Sequence, residues 1–405
     1  MIQIFKQLSH FQKKFIAICM GFSFLITLDY SCLRPAAHAL FITHFGSKAL
    51  PWVWLISLPI NFLIVALFNK CQAKFGSRRL SLIFPPLVIV INCLLTLAMT
   101  KNAAFCFIFF IWKDLYILLM FQQLWSQIHA ALGHSVGRYF YGAMYAIGAL
   151  GSLAGATLTA FLKWPPISYL FCTLFIYPFI LGCQKLLLNN PEHVPFEKKA
   201  APKAIDGVKQ IIGNYELITI GLLVALMQMV AALSEFTFSK HLETTFSDAV
   251  SRTQASASVM STMHALTLGL QLVFAWVSVE KLGIKRGHKL IPLVLGLSSI
   301  GYLISPGFAT ASMNYVGCKS LDFSLFAVLK ERLYAPLDKA YKYEAKSFID
   351  IFVYRGAKTV MSLSLIALGA FHSHLFFGLF LVTLVGSWFW IAKVRLNRYS
   401  LQNQS

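Results

Sequence analysis

Residues 319–338 read Lys319-Ser-Leu-Asp322-Phe-Ser-Leu-Phe326-Ala-Val-Leu-Lys330-Glu-Arg-Leu-Tyr-Ala-Pro-Leu-Asp338. Most of this stretch is apolar enough to cross a bilayer, yet it carries a lysine and an aspartate. A charge at bilayer depth costs from about 3 to more than about 10 kcal/mol, depending on the reference state, so an intramembrane ionisable residue is a functional candidate by default. At about 100° per residue, Lys319, Asp322, Phe323, Phe326 and Lys330 fall within one sector of a helix, giving a face that is part cationic and part aromatic. Such a face suits an anionic, aromatic solute. A plainer reading keeps the residues structural, with Asp322 neutralising Lys319 one turn away and Lys330 reaching the cytosolic helix end.

The whole chain carries the same signature. Of its 405 residues, 58% are apolar and 12% charged, against about 25% charged in globular proteins. Hydropathy predicts twelve spans, near 13–33, 51–69, 80–98, 104–127, 139–161, 167–187, 215–238, 257–278, 289–305, 309–333, 352–370 and 375–393. Most are close to the ~20 residues a spanning helix needs. The expected fold class is therefore an all-α integral membrane protein with twelve transmembrane helices.

A net charge of +20 could point to nucleic acid, so the placement of the 35 Lys and Arg residues decides. With both termini on one side, 27 of them fall on that side and six on the other: Arg34, Lys48, Lys101, Lys163, Lys240 and Arg252. Lys113 and Lys319 lie within spans. This is the positive-inside asymmetry, which predicts that both termini are cytoplasmic. The basic excess reports topology and anionic lipid headgroups; nucleic acid is not an expected partner. The eight cysteines form no Cys-x-x-Cys pair and read as packing residues, so no metal or cofactor is expected. Gly317-Cys318-Lys319-Ser320 looks like the end of a phosphate-binding loop, but no strand can precede it in a span, and no catalytic constellation occurs. An enzyme is not expected.

Organisation follows from one break and one echo. Residues 188–214, with Pro191, Pro195 and Pro202, interrupt the apolar pattern and read as a cytoplasmic linker between halves 1–187 and 215–405. Ala-Lys-Phe-Gly-Ser-Arg-Arg at 73–79 returns as Glu-Lys-Leu-Gly-Ile-Lys-Arg at 280–286, after spans two and eight. The echo supports two duplicated six-helix bundles. Gly148, Gly151 and Gly155 in span five have the spacing of close helix packing. In span four, Lys113, Tyr116, Met120, Gln123 and Gln127 share a face, which reads as lining a cavity, while Lys113 and Asp114 are expected to form an interfacial pair.

Several motifs carry a resemblance. Lys-Ser-Leu-x-Phe-Ser-Leu-Phe from Lys319, then Lys-Glu-x-x-Tyr-x-Pro-Leu-Asp from Lys330, resembles the tenth-helix signature of the ATP/ADP translocases of obligate intracellular bacteria and plastids. Leu28 to Arg34, Leu-Asp-Tyr-Ser-Cys-Leu-Arg, is similar to the close of that family's first helix, with Asp29 where asparagine is usual. Gly46 to Pro59 resembles the start of its second helix, and Gln123-Leu-Trp-Ser its Glu-Leu-Trp-Gly. Leu233 to Lys240 places Glu235 at a functional glutamate, and Lys346, Ile349, Asp350, Arg355, Gly356 and Lys358 resemble a further family motif. The chain departs from the pattern at Ala37, at Gln123 and at Ala327-Val328-Leu329, where the family has Asp-Pro-Thr.

The resemblance implies a major-facilitator-like carrier, expected as a monomer, that exchanges a nucleotide or related anionic metabolite by alternating access. It implies that Lys319, Lys330 and Arg34 meet phosphates, that Tyr30, Phe323 or Phe326 stacks on a base, that Asp322 and Gln123 complete the site, and that Asp29 and Glu235 couple or gate. Proton-coupled transport of another metabolite, or a carrier fold turned receptor or assembly factor, stays open. For topology, a cysteine at position 203 should react with impermeant reagents only from the cytoplasmic side and one at position 163 only from outside. Labelling of position 203 on intact cells would reverse the orientation.

Overall fold

The computed structural model describes residues 9–131, 134–189, 213–281, 283–334, 337, 346, 348–368 and 373–402. Most of the expected linker lies outside them. Among the described residues every regular element is helical, as a bilayer requires, because only a helix satisfies its backbone hydrogen bonds within one segment.

The helices are α1 His10–Phe45, α2 Leu50–Phe75, α3 Ser77–Met99, α4 Ala104–Ala131, α5 His134–Phe161, α6 Pro166–Cys172, α7 Tyr177–Leu188, α8 Tyr215–Thr245, α9 Ala249–Lys281, α10 Gly283–Ile304, α11 Phe308–Leu321, α12 Ala327–Tyr334, α13 Tyr354–Ala367 and α14 His374–Gln402. Helices α6 and α7 form one span through a 3-10 turn, Thr173–Ile176. A π-turn at Asp322–Phe326 joins α11 to α12, and another at Ile349–Val353 leads into α13. These elements occupy the twelve expected span positions. Nine are long and apolar enough, among the described residues, to cross a membrane on length and composition. The other three are α9, rich in Ser and Thr, and the two spans containing π-turns.

Helix α1 is the axis of the first compact unit, which comprises 1–46, 59–199 and 246–264. Ser9 caps it in a capping box with Gln12, which satisfies backbone donors at its start. It ends at Gly46, whose φ of 72° suits glycine alone without strain. Along its length α1 packs on α4, α5, α6 and α7. Phe15, Phe22 and Ile26 meet Tyr116, Met120 and Tyr177 in its core.

The second unit comprises 47–58, 200–245 and 265–405, with α8 as its axis against α11, α13 and α14. Packing thus places 47–58 and 246–264 with the helices of the other sequence half. Helix α2 changes unit at Pro59, where proline removes a backbone donor from the helix interior.

The glycine spacing in α5 has its physical cause in the approach to α1. A Cβ at Gly155 would lie 2.5 Å from the Leu28 carbonyl oxygen, and one at Gly151 would run into Thr27 and the Phe24 carbonyl. With the backbones this close, side chains of one helix reach the backbone of the other: Ser23 donates to the Met144 carbonyl at 3.4 Å and Thr159 to the Cys32 carbonyl at 3.3 Å. Gly151→Ala should cost about 1–3 kcal/mol by overpacking. Gly142→Ala, where nothing lies within 4 Å, should be neutral or stabilising. Thermal unfolding in detergent compares them, and equal melting temperatures would refute the close approach.

Candidate functional site

In the first unit, α1 carries Asp29 and Tyr30 side by side and Arg34 one turn further on. Asp29 is 1% exposed. The hydroxyls of Tyr116 on α4 and Tyr177 on α7 each donate to its Oδ2 at 2.9 Å, and its Oδ1 is buried without a hydrogen-bond partner. No cation pairs with it among the described residues. A carboxyl cradled by hydroxyls in an apolar core can take up and release a proton with little rearrangement, which is the chemistry of a coupling group.

One residue on, Tyr30 donates to Oδ1 of Asp114 at 2.7 Å, and Lys113 donates to the same oxygen at 2.8 Å. The Arg34 guanidinium lies 5.8 Å from the Tyr30 ring centre, and the Lys113 ammonium 4.1 Å from the Phe110 ring centre. Two cations therefore gather around one aromatic ring and one carboxylate. Lys113 is 2% exposed and Asp114 open. The expected pair is thus formed, and it lies within the first unit beside Tyr30 and Arg34. Adjacent positions on a helix point about 100° apart, so the lysine can reach inward while the aspartate faces out.

The expected cavity-lining face of α4 is buried instead. Tyr116, Met120, Gln123 and Gln127 are buried against neighbouring helices. Gln184 of α7 donates to Gln123 at 2.9 Å and accepts from Gln127 at 3.1 Å. This ladder holds helices together as interhelical amides do in apolar surroundings, so Gln123 sits among packing contacts. Along another stripe of α4, Asp114 is exposed and Leu118, Phe121 and Trp125 are half-buried.

In the second unit, Lys319 is 8% exposed, 5.9 Å from the Phe323 ring centre, and in no ion pair among the described residues. Glu235, Tyr354, Tyr315 and Asp322 are the groups near enough to act on its charge. Asp322 accepts from Gln228 of α8 at 3.0 Å. Glu235 pairs with Lys358 of α13 at 3.3 Å, and the Lys358 ammonium lies 4.2 Å from the Trp54 ring centre.

The single face expected for Lys319, Asp322, Phe323, Phe326 and Lys330 is broken by the π-turn, which adds a residue to one turn and rotates the helix beyond it. Phe326 is buried edge-on to His288 and Trp388, and Lys330 pairs with Asp350 at 2.7 Å. Lys319 and Phe323 stay together, Phe326 joins the core, and Lys330 serves an ion pair between α12 and the second π-turn. The carbonyl of Phe323 accepts from Gln271 at 3.0 Å.

Sequence reasoning passed over Tyr177, Gln228 and Trp54. The first carried a readable signal, since a tyrosine hydroxyl deep in an apolar span needs a partner. The other two come from distant helices with nothing in their spacing to mark them.

The helix order and the span lengths define an all-α membrane fold. Solved structures with that fold cover nearly all of this chain. The crystal structure of a point mutant of the nucleoside transporter NupG matches with TM-score 0.73 at 12% identity, over 94% of this chain and 99% of that one. An auto-inhibited POT family peptide transporter matches with TM-score 0.69 at 12% identity, over 94% and 97%. A D-xylose-proton symporter matches with TM-score 0.68 at 14% identity, over 93% and 97%. No family model matches the chain and no curated protein matches its sequence.

If the tyrosine cradle compensates Asp29, Tyr116→Phe and Tyr177→Phe should each cost about 1–3 kcal/mol by removing a donor from a buried group. In an Asp29→Ala background the same changes should cost under about 0.5 kcal/mol. Denaturation midpoints of the singles and doubles check this; additive losses would break the link.

Proposed function

We propose that the protein is a multi-pass carrier that moves a nucleotide, ATP/ADP-like, or a related anionic metabolite across a bacterial inner membrane by alternating access, in exchange mode. Its halves would be the six-helix bundles 1–187 and 215–405. The observation that carries this reading is Lys319: an ammonium buried at a π-turn, beside an aromatic ring, outside any ion pair among the described residues. A buried cation of this kind is costly unless an anion meets it. Arg34 and Lys113 around Tyr30 provide a second cationic and aromatic cluster in the other unit. The translocase resemblance implies phosphate contacts at Lys319 and Arg34 and a base contact at Tyr30 or Phe323, and the neighbours of the same fold are transporters of nucleosides, sugars and peptides.

Lys319→Ala should abolish nucleotide uptake with folding retained. Lys319→Arg keeps the charge with a different donor geometry and should keep part of the uptake. If Lys319 only balanced Asp322, the double change Lys319→Ala with Asp322→Ala would restore what either single change impairs. Uptake at matched expression decides, and full rescue by the double variant would make the pair structural.

A second reading is supported by Asp29. A carboxyl held by two tyrosines without a cation suits coupling of transport to proton movement. Under it, Asp29→Asn would remove accumulation driven by a pH gradient and spare exchange between equal pools. Under strict exchange, the gradient would have no effect on the native protein.

A further inference from the structure

We propose that Lys358 is a positioning residue for the Lys319 site: it draws the Glu235 carboxylate off the Lys319 ammonium, with the Trp54 ring fixing it in place, so that Lys319 stays open to the anionic part of the solute. This rests on the Lys319 reading above and adds the residues that keep that site available.

Two hydrogen bonds set the frame, both within the second unit. Gln228 of α8 donates to Asp322 at 3.0 Å, and Ser234 of α8 donates to Asn314 of α11 at 2.8 Å. The partners advance along α8 while they recede along the facing span, so the two run antiparallel and Lys319 lies between the bonded positions Asn314 and Asp322. Glu235 follows Ser234 and sits two turns beyond Gln228 on the same face of α8. Glu235 is accordingly the carboxylate that acts most strongly on the Lys319 charge.

Glu235 nevertheless closes on Lys358 of α13, at 3.3 Å, and no ion pair joins it to Lys319 among the described residues. The Lys358 ammonium lies 4.2 Å from the ring centre of Trp54, which is buried. Trp54 belongs to the 47–58 stretch of α2 that packs in this unit. An ammonium over an indole face is held there by the ring's negative face, so the ring favours the position from which Lys358 reaches Glu235.

The consequence for binding is competitive. In a low dielectric a carboxylate closed on Lys319 would have to be displaced before a solute anion could bind. Glu235 held on Lys358 is withdrawn as a competitor, yet its charge stays near enough to make a buried ammonium tolerable in the empty protein. Asp322, the other carboxylate beside Lys319, is engaged by Gln228. Arg355, one turn before Lys358 on α13, is the rival holder of Glu235.

The test is a suppressor experiment on the full chain in lipid nanodiscs, titrated with ADP and ATP. Lys358→Gln should raise Kd at least about tenfold, and adding Glu235→Gln should bring it back to within about threefold of the native value, because an amide does not neutralise Lys319. Lys358→Arg keeps a cation for Glu235 and should bind almost as the native chain does. Trp54→Leu leaves every charge in place and should weaken binding about two- to fivefold, a loss that Trp54→Phe reduces and Glu235→Gln cancels. Native affinity in Lys358→Gln, the result expected if Arg355 holds Glu235, would overturn the proposal. A loss that Glu235→Gln leaves unrepaired would show a packing role and overturn it as well. Melting temperatures without ligand read the shared carboxylate separately: Lys358→Gln with Lys319→Ala should lower the melting temperature by more than the two single changes summed, since Glu235 then has neither lysine. Additive losses would refute the sharing. A native chain that neither binds ADP or ATP nor takes them up in liposomes would overturn the nucleotide reading instead, and the melting cycle would still decide whether Glu235 is shared.

Discussion

Every ionisable side chain inside these helices has to be compensated by its own unit, because neither lipid nor packed hydrocarbon can do it. The compensations observed are also the links between helices. Asp29 ties α1 to α4 and α7 through two tyrosine hydroxyls. Glu235 ties α8 to α13 through Lys358, and Asp322 ties the π-turn back to α8 through Gln228. Between apolar helices in lipid the hydrophobic effect offers little preference for one neighbour over another. Polar links of this kind then select which helices meet, and in which rotation.

Helix α1 shows how the polar and steric terms cooperate. On one side the glycines of α5 bring backbone against backbone, so α1 has almost no freedom to roll or slide there. On the other, Phe15, Phe22 and Ile26 fill the space toward α4 and α7. Held from both sides, the helix presents Asp29 to its tyrosines and, one residue further round, Tyr30 to Asp114. The rotation that buries Asp29 is the one that brings Arg34 near the Tyr30 ring, so the candidate coupling group and the cationic cluster are set by a single packing decision.

Much of this was legible in the sequence. Periodicity and length located the spans, the small residues of α5 announced a close contact, and Lys319, Asp322, Glu235, Asp29 and Arg34 stood out because a charge in an apolar run is expensive. Partnership was not legible. Lys358 reaches Glu235 across 123 positions and Gln184 reaches Gln123 across 61, and no local pattern encodes either distance. The face of α4 was misread for a related reason: polar residues on one stripe can line a cavity or join helices, and amide side chains do both equally well. Only the neighbours decide, and for Gln123 and Gln127 the neighbour is Gln184.

The π-turn at Asp322–Phe326 was the other hidden element, and it explains why Lys319 differs from the remaining interior lysines. A straight α-helix would have put Lys319 and Lys330 on one face, two cations facing the same space. The extra residue in the turn sends Phe326 into the core against His288 and Trp388 and directs Lys330 to Asp350. It also delivers the Asp322 carboxylate to Gln228, so Lys319 has no carboxylate at ion-pair distance among the described residues. The second π-turn, Ile349–Val353, precedes the helix that carries Lys358 to Glu235. A π-turn is less favourable than the α-turn it replaces and persists where tertiary contacts favour it, often at functional sites. Here charge pairings stand beside both turns, and Lys319, beyond ion-pair distance of either carboxylate, still lies near enough to Glu235 and Asp322 for their charges to compensate it.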